Sequence, residues 1–299
     1  MSALEDIRDI MQSWFDDCAC ESAKRLGAPQ SGKMLRSKLI LAIAPESEQT
    51  KRLCAIIELI QNASLLHDDV IDEASMRRGQ PSLNATAGAR NAIMMGDLLY
   101  AKAFYELAGF GAEIARIVSE SVVRLSNGEI ADVCYAGKLY DSELHYLQVV
   151  FDKTASLLRA SSHAAAVLAG LDTQALASYG ENLGMAFQIV DDVLDITQDS
   201  AKLGKDALHD FKEGKCTLPY IYLLQELDSA QKHVLESLIG RELDFGEQQW
   251  LLDNLRSSGA IDKAVAKARE YGDFALQSIQ HIDNAKLKEI VAQMIERDF

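Results

Sequence analysis

Proline is nearly absent from this chain of 299 residues, and the four that occur, Pro29, Pro45, Pro81 and Pro219, all fall where the apolar pattern lapses. Proline removes a backbone donor and clashes with the preceding turn, so its confinement to such breaks leaves the long stretches between them free to be helical. The apolar positions agree. Leu53, Ile56, Ile57 and Ile60 recur at the spacing of one helical face, as do Leu147, Phe151, Thr154 and Leu158, and again Leu183, Phe187, Val190 and Leu194. Alternating patterns suited to strands are scarce, and no hairpin dipeptide stands between two of them. The expectation is an all-α fold.

No Gly/Ser-rich linker, change of composition or fixed-period repeat divides the sequence, so residues 1–299 read as a single domain. A formal charge of −15 opposes nonspecific binding to nucleic acid or anionic lipid. The start, MSALEDIRDIMQSWFDD, is acidic and amphipathic and lacks the basic region and apolar run of a signal peptide, and no later stretch approaches the length of a membrane span. A cytoplasmic protein is expected. Five cysteines without Cys-x-x-Cys spacing argue against a disulfide framework or structural zinc.

Two clusters of the form Asp-Asp-x-x-Asp carry the chemistry, Asp68 to Asp72 and Asp191 to Asp195. On a helix, residues four apart share a face, so Asp68 and Asp72 project together, as do Asp191 and Asp195. Ionised, each pair repels itself and calls for a cation. A hard ion that takes oxygen ligands, magnesium above all, fits a few carboxylates that leave room for water and phosphate oxygens. Asp69 and Asp192 are placed to add ligands or supporting contacts. The second cluster sits in AFQIVDDVLDI, which is otherwise apolar, and a buried carboxylate without a partner is costly. The first lies on a polar stripe with Gln61 and Ser64.

Against an acidic background the basic groups stand out: Lys33 and Arg36 in Gly-Lys-Met-Leu-Arg, the pair Arg77 and Arg78, and Lys205 with Lys215. Arginine grips phosphate through a planar fork and lysine serves as a mobile charge, so this mixture suits two diphosphates bound side by side. Lys153 and Thr154 lie in FDKTASLLRAS, with Thr154 on an apolar face. The Gly32-Lys33 segment lacks the spacing of a nucleotide phosphate loop.

Together these residues resemble the all-trans polyprenyl diphosphate synthases, the farnesyl and longer-chain synthase family. The matching stretches, in the family's order, are GKMLR, LLHDDVIDEASMRRGQPS, MGDLLYAKAF, NGEI, DKTASLL, GMAFQIVDDVLDI and GKDALHDFKEGKCTLPYIYLL, from about residue 27 to 225. The resemblance implies an isoprenoid synthase-type helical bundle around a deep central cavity, with the two aspartate motifs facing each other across its mouth. It also implies about three magnesium ions held by Asp68, Asp72, Asp191 and Asp195 with Asp192 nearby, and a homodimer. By the same resemblance Arg77, Lys153, Thr154, Gln188 and Lys205, helped by Lys215, match positions that contact the allylic diphosphate or its departing charge. Lys33, Arg36 and Arg78 match the isopentenyl diphosphate site. Two departures stand out, Gln61 where the family usually has His and Ser31-Gly32-Lys33 where it usually has Gly-Gly-Lys. The implied reaction ionises the allylic diphosphate, lets the double bond of isopentenyl diphosphate attack, and returns a proton to the released diphosphate. His67 then supports the cluster and takes no proton.

Product length in such enzymes depends on bulk just before the first motif, where this chain has the small residues Ala63 and Ser64. The expectation is a long-chain product, hexaprenyl to octaprenyl, of the kind used for quinone side chains, with Met94, Met95 or Phe104 as candidates for a deeper floor. The alternatives are a farnesyl or geranylgeranyl diphosphate synthase, a terpene cyclase, which usually keeps only one Asp-rich motif, and a noncatalytic subunit, which usually loses these aspartates.

Overall fold

The computed structural model describes residues 2–28, 32–197 and 208–295, so that Pro29, Ser31 and Lys205 lie outside the described residues. Helix dominates, and among the described residues no helix is long and apolar enough to cross a membrane. The backbone gathers into two compact units, Met1–Val122 with Ala160–Ala177, and Val123–Arg159 with Ser178–Phe299.

The first unit is built on the helix Glu48–Ile71 laid against Ala89–Leu107, with Ala3–Cys18 packed on both and Leu35–Ile43 beside the former. The Ser47 hydroxyl starts the long helix by accepting the Thr50 amide at 3.1 Å, satisfying one of the donors that a helix leaves open at its first turn. Leu53, Ile56, Ile57 and Ile60, the stripe read from sequence, are fully buried with Ile7, Leu39, Ile40 and Leu99. Each contributes about 1.5–3 kcal/mol of apolar burial. Any side chain at Gly96 would overlap the His67 imidazole, so this glycine lets Ala89–Leu107 close against the motif-bearing helix.

One local expectation fails in this unit. A short antiparallel hairpin follows the first motif, pairing Met76 with Pro81 and Arg77 with Gln80. Its two turn residues, Arg78 (φ 54°) and Gly79 (φ 74°), both take positive φ, as tight hairpin turns require. Asparagine or aspartate usually fills the first of these positions, so an arginine there carries no hairpin signal in sequence.

In the second unit, Leu218–Glu226 is the central helix. Pro219 occupies its first turn, where a missing donor costs little. Leu218, Tyr220, Ile221 and Leu223 have no exposure, and the helix packs on Glu143–Val150, Phe245–Ser257 and Ala260–Ser278. A helix apolar all round is one that is surrounded.

Between Glu143–Val150 and Ser156–Ala169 the chain does not continue as plain α-helix. It widens into a π turn, Phe151–Ala155, closed by the Ser156 amide on the Phe151 carbonyl. The periodic reading through Leu147, Phe151, Thr154 and Leu158 treats this stretch as one straight helix, so it misses the turn. Two glycines make room for it. A Cβ on Gly128 would lie 2.5 Å from the Lys153 nitrogen, and one on Gly184 would lie 2.5 Å from the Ala155 Cα. Gly184→Ala is therefore expected to destabilise by about 1–3 kcal/mol through overpacking, read as a lower thermal midpoint. Gly109→Ala, where a Cβ meets nothing within 4 Å, serves as the reference. Equal midpoints for the two variants would contradict the close approach at Ala155.

Candidate active site

The first cluster ends the helix Glu48–Ile71. Asp68 and Asp72 stand one turn apart, Asp72 capping the helix through its amide on the Asp68 carbonyl at 2.8 Å. Both are half-buried, while Asp69 between them is only 3% exposed. Arg77, carried back by the hairpin, explains how a buried carboxylate is tolerated there. Its Nε donates to Asp69 Oδ1 at 2.6 Å and its Nη2 to Asp68 Oδ2 at 3.1 Å. Burial disfavours the Arg77 charge, but the hydrogen bond and charge of Asp69, then those of Asp68, outweigh it and raise its pKa. His67 faces the neighbouring helix, with Nε2 at 3.1 Å from the Ile93 carbonyl, where it donates.

Arg78 follows Arg77 in the hairpin turn. Its guanidinium fills the space where a side chain at Gly32 would stand, which brings Arg78 beside the segment that leads to Arg36. Burial pushes Arg36 down to about 10, a fall that the charge of Glu58 resists and that of Arg78 deepens. Arg78 is lowered likewise, by burial and then by Arg77, against the pull of Glu58 and Asp69. Arg36 Nε is buried and makes no hydrogen bond. Two cations crowded in this way favour an anion between them. Lys33 is exposed nearby in sequence, and Gln61 is half-buried one helical turn after Glu58.

Glu58 is a residue that the sequence reading passed over. It is buried, and its Oε1 accepts the Ser37 amide at 3.2 Å and the Ser37 hydroxyl at 2.8 Å, which ties down the first turn of the helix that carries Arg36. The signal was present, since a lone acid inside CAIIELIQ has to be partnered if that stripe is core. Ala63 is fully buried, whereas Ser64 is half-buried with its hydroxyl on the Gln61 carbonyl at 2.9 Å. Of the candidates for a deeper floor, Met95 is buried, Phe104 half-buried and Met94 exposed.

The helix Thr173–Thr197, which belongs to the second unit from Ser178 onward, carries Gln188 and the second cluster. The pattern of the first motif repeats: Asp191 and Asp195 are half-buried and Asp192 is 3% exposed. Here the buried carboxylate is held by neutral donors, Tyr146 Oη at 2.5 Å from Oδ2 and Gln188 Nε2 at 2.8 Å from Oδ1. Gln188 Oε1 in turn accepts the Thr154 hydroxyl at 2.8 Å, so Thr154 bonds across to the motif helix and not back to its own. Burial pushes the Asp192 carboxyl well above the usual range; the charges of Asp210 and Asp191 add to the rise, and the bonds from Tyr146 and Gln188 resist it. Lys153 goes elsewhere, to Asp132 at 2.6 Å and Glu129 at 3.0 Å.

The segment after the undescribed residues packs directly on this cluster. The Leu208 amide bonds to the Asp195 carbonyl at 3.0 Å and the Asp210 amide to Asp195 Oδ2 at 3.2 Å. Lys215 reaches back with its amide to the Asp210 carbonyl at 2.8 Å and with its ammonium to Glu213 at 2.7 Å. Gly214, at φ 88°, makes this return possible, since a Cβ there would lie 2.5 Å from the Gly137 nitrogen. Asp210 is not a sequence candidate, because an acid in LHDFKEGK, beside Lys212, Glu213 and Lys215, looks like surface; its proximity to Asp192 and Asp195 is a matter of folding.

These carboxylates suit magnesium. Among the described residues no three His, Cys, Asp or Glu side chains close into a ready-made metal cage, but magnesium takes one or two carboxylates and completes its shell with water and phosphate oxygens. The donor set is all oxygen, and the charges that raise Asp192 are what a cation would relieve.

Comparison with known proteins gives one consistent result. A family model described as polyprenyl synthetase matches residues 20–254. Solanesyl-diphosphate synthase 2 of Oryza sativa is 33% identical over 285 residues, covering 89% of this chain and 68% of the relative. Octaprenyl diphosphate synthase of Escherichia coli is 31% identical over 266 residues, covering 86% and 82%. Among solved structures, octaprenyl pyrophosphate synthase from Helicobacter pylori superposes with a TM-score of 0.94 at 40% identity, covering 99% of this chain and all of that one.

Proposed function

The chain belongs to the polyprenyl synthetase family, and from that membership we propose a single catalytic domain over residues 1–299 that condenses isopentenyl diphosphate with an allylic diphosphate to make a long-chain linear diphosphate. The reaction is trans-prenyl transfer, and the product lies in the hexaprenyl to octaprenyl range used for quinone side chains. The reading includes a magnesium requirement, a homodimer and a cytoplasmic location. The observation that carries it is Arg36, in the unit that holds the first carboxylate cluster, whose buried Nε has no hydrogen-bond partner. An exposed apolar face, Val123, Ile130 and Val133 along Ala112–Tyr135, supports a second copy as partner.

In this reading Asp68, Asp72, Asp191 and Asp195 hold the metal, which when bound supplies positive charge to the departing diphosphate. Arg77, Lys153, Lys205 and Lys215 add cationic groups on the allylic side. Thr154 and Gln188, locked to each other, fix polar atoms beside the reacting carbon. Lys33, Arg36 and Arg78, with the Gln61 amide, grip isopentenyl diphosphate, and Glu58 keeps Arg36 in place. Mass spectrometry of the products formed from farnesyl and isopentenyl diphosphates with magnesium tests the proposal. Polyprenyl diphosphates of six to eight units are expected. Accumulation of farnesyl or geranylgeranyl diphosphate alone would exclude the long-chain assignment, and release of a hydrocarbon would exclude condensation.

A further inference from the structure

Asp192 occupies the second position of the second cluster but has little left to offer a metal. It is 3% exposed, and each of its oxygens already accepts a hydrogen bond, Oδ2 from the Tyr146 hydroxyl at 2.5 Å and Oδ1 from Gln188 Nε2 at 2.8 Å, which leaves no open face toward solvent. Asp191 and Asp195, on the same helix, are only half-buried. We propose that Asp192 is not a ligand of the metal but a buried post that orients Gln188 and Thr154, and that Tyr146 is the positioning residue that holds this post. The proposal rests on the reading of the second cluster as part of a metal-dependent prenyl-transfer site.

The orientation follows from the chemistry of the groups. As a carboxylate Asp192 accepts from both Tyr146 and Gln188, so Gln188 turns its NH2 toward Asp192 and its carbonyl oxygen the other way. That oxygen is the one that Thr154 meets, at 2.8 Å. A hydroxyl has one proton, and Thr154 gives it to Gln188. What Thr154 presents beyond the pair is therefore its oxygen lone pairs. Tyr146 closes the chain at the far end, because a phenol donates to a carboxylate and fixes which oxygen faces Gln188. The order of protons from Tyr146 through Asp192 and Gln188 to Thr154 is set by residues from three segments: the helix Glu143–Val150, the π turn Phe151–Ala155, and Thr173–Thr197. Nothing in this chain of bonds needs Asp192 to leave its place.

The test uses the purified full-length chain with Tyr146→Phe, Asp192→Asn, Asp191→Asn and the double variant Tyr146→Phe/Asp192→Asn. Each is measured for kcat, KM for both diphosphates, the magnesium concentration for half-maximal rate, and thermal midpoint. Tyr146→Phe is expected to lower kcat about ten- to a hundredfold with KM and the magnesium requirement unchanged. The double variant should fall no further than Asp192→Asn alone, since both changes remove the same post. A raised magnesium requirement in Tyr146→Phe or Asp192→Asn, matching that of Asp191→Asn, would make Asp192 a ligand and overturn the proposal. An unchanged kcat in Tyr146→Phe would do the same, as would effects that multiply in the double variant. Should Tyr146→Phe fail to fold, Asp192→Asn set against Asp191→Asn still decides on the magnesium axis. If Asp191→Asn leaves the magnesium requirement untouched, it is the metal-site reading that fails, and that outcome is separate.

Discussion

Replacing Asp191 or Asp68 by alanine is expected to cut prenyl transfer by at least about a thousandfold, with the fold retained. The two carboxylates are half-buried toward the C-terminal ends of their helices, each one turn from a second carboxylate, and Asp68 gives up only the longer of the two Arg77 contacts, so their removal opens no core cavity. The middle aspartates would behave differently. Asp69→Ala removes the nearer of the two carboxylates that hold Arg77 and vacates a buried position, and losing a hydrogen bond to a charged group costs about 1–3 kcal/mol, so that variant loses stability as well as activity. Incorporation of labelled isopentenyl diphosphate, read beside a thermal melt, separates the two cases. Chelation of magnesium should reproduce the Asp191→Ala loss in the unaltered chain. Near-normal turnover in either Asp68→Ala or Asp191→Ala would remove the clusters from the chemistry.

Ser64→Phe is expected to shorten the product to farnesyl or geranylgeranyl diphosphate without loss of turnover. Ser64 stands one helical turn before Asp68, and like Asp68 is half-buried, so a phenyl ring there has somewhere to go. Its neighbour is a poorer place for the experiment. Ala63 is fully buried, and a phenylalanine would have to be forced into packed core. The structure thus separates two positions that the sequence treated alike. Chain-length analysis of the Ser64→Phe products decides the matter, and an unaltered length distribution would reject this position as a determinant.

What could be read in advance was whatever depends on spacing along one helix. The stripe Leu53, Ile56, Ile57 and Ile60 is core, and the outer aspartates of each motif share a face. What stayed hidden depends on which segments meet. That Glu58 receives Ser37, that Tyr146 reaches Asp192 and that Asp210 joins the second cluster are contacts between residues 15 to 46 positions apart. No local period encodes them. The hairpin escaped notice because Arg78 is an unusual residue for positive φ, and the π turn because one added residue per turn barely disturbs a short apolar pattern. Lys205 lies outside the described residues, so its part is argued from resemblance alone.

The π turn has one further effect. It stores a surplus residue within an otherwise unbroken helical run, so the segments before and after it are out of phase by roughly a quarter of a revolution. Heptad or stripe reasoning begun at Leu147 cannot be carried through to Leu158, even though no gap or proline marks the change. A relative whose helix ran straight here would align with this chain only by opening a one-residue gap between positions 151 and 155. The same deletion made in this chain would swing Tyr146 away from Asp192 while leaving both residues in place in the sequence.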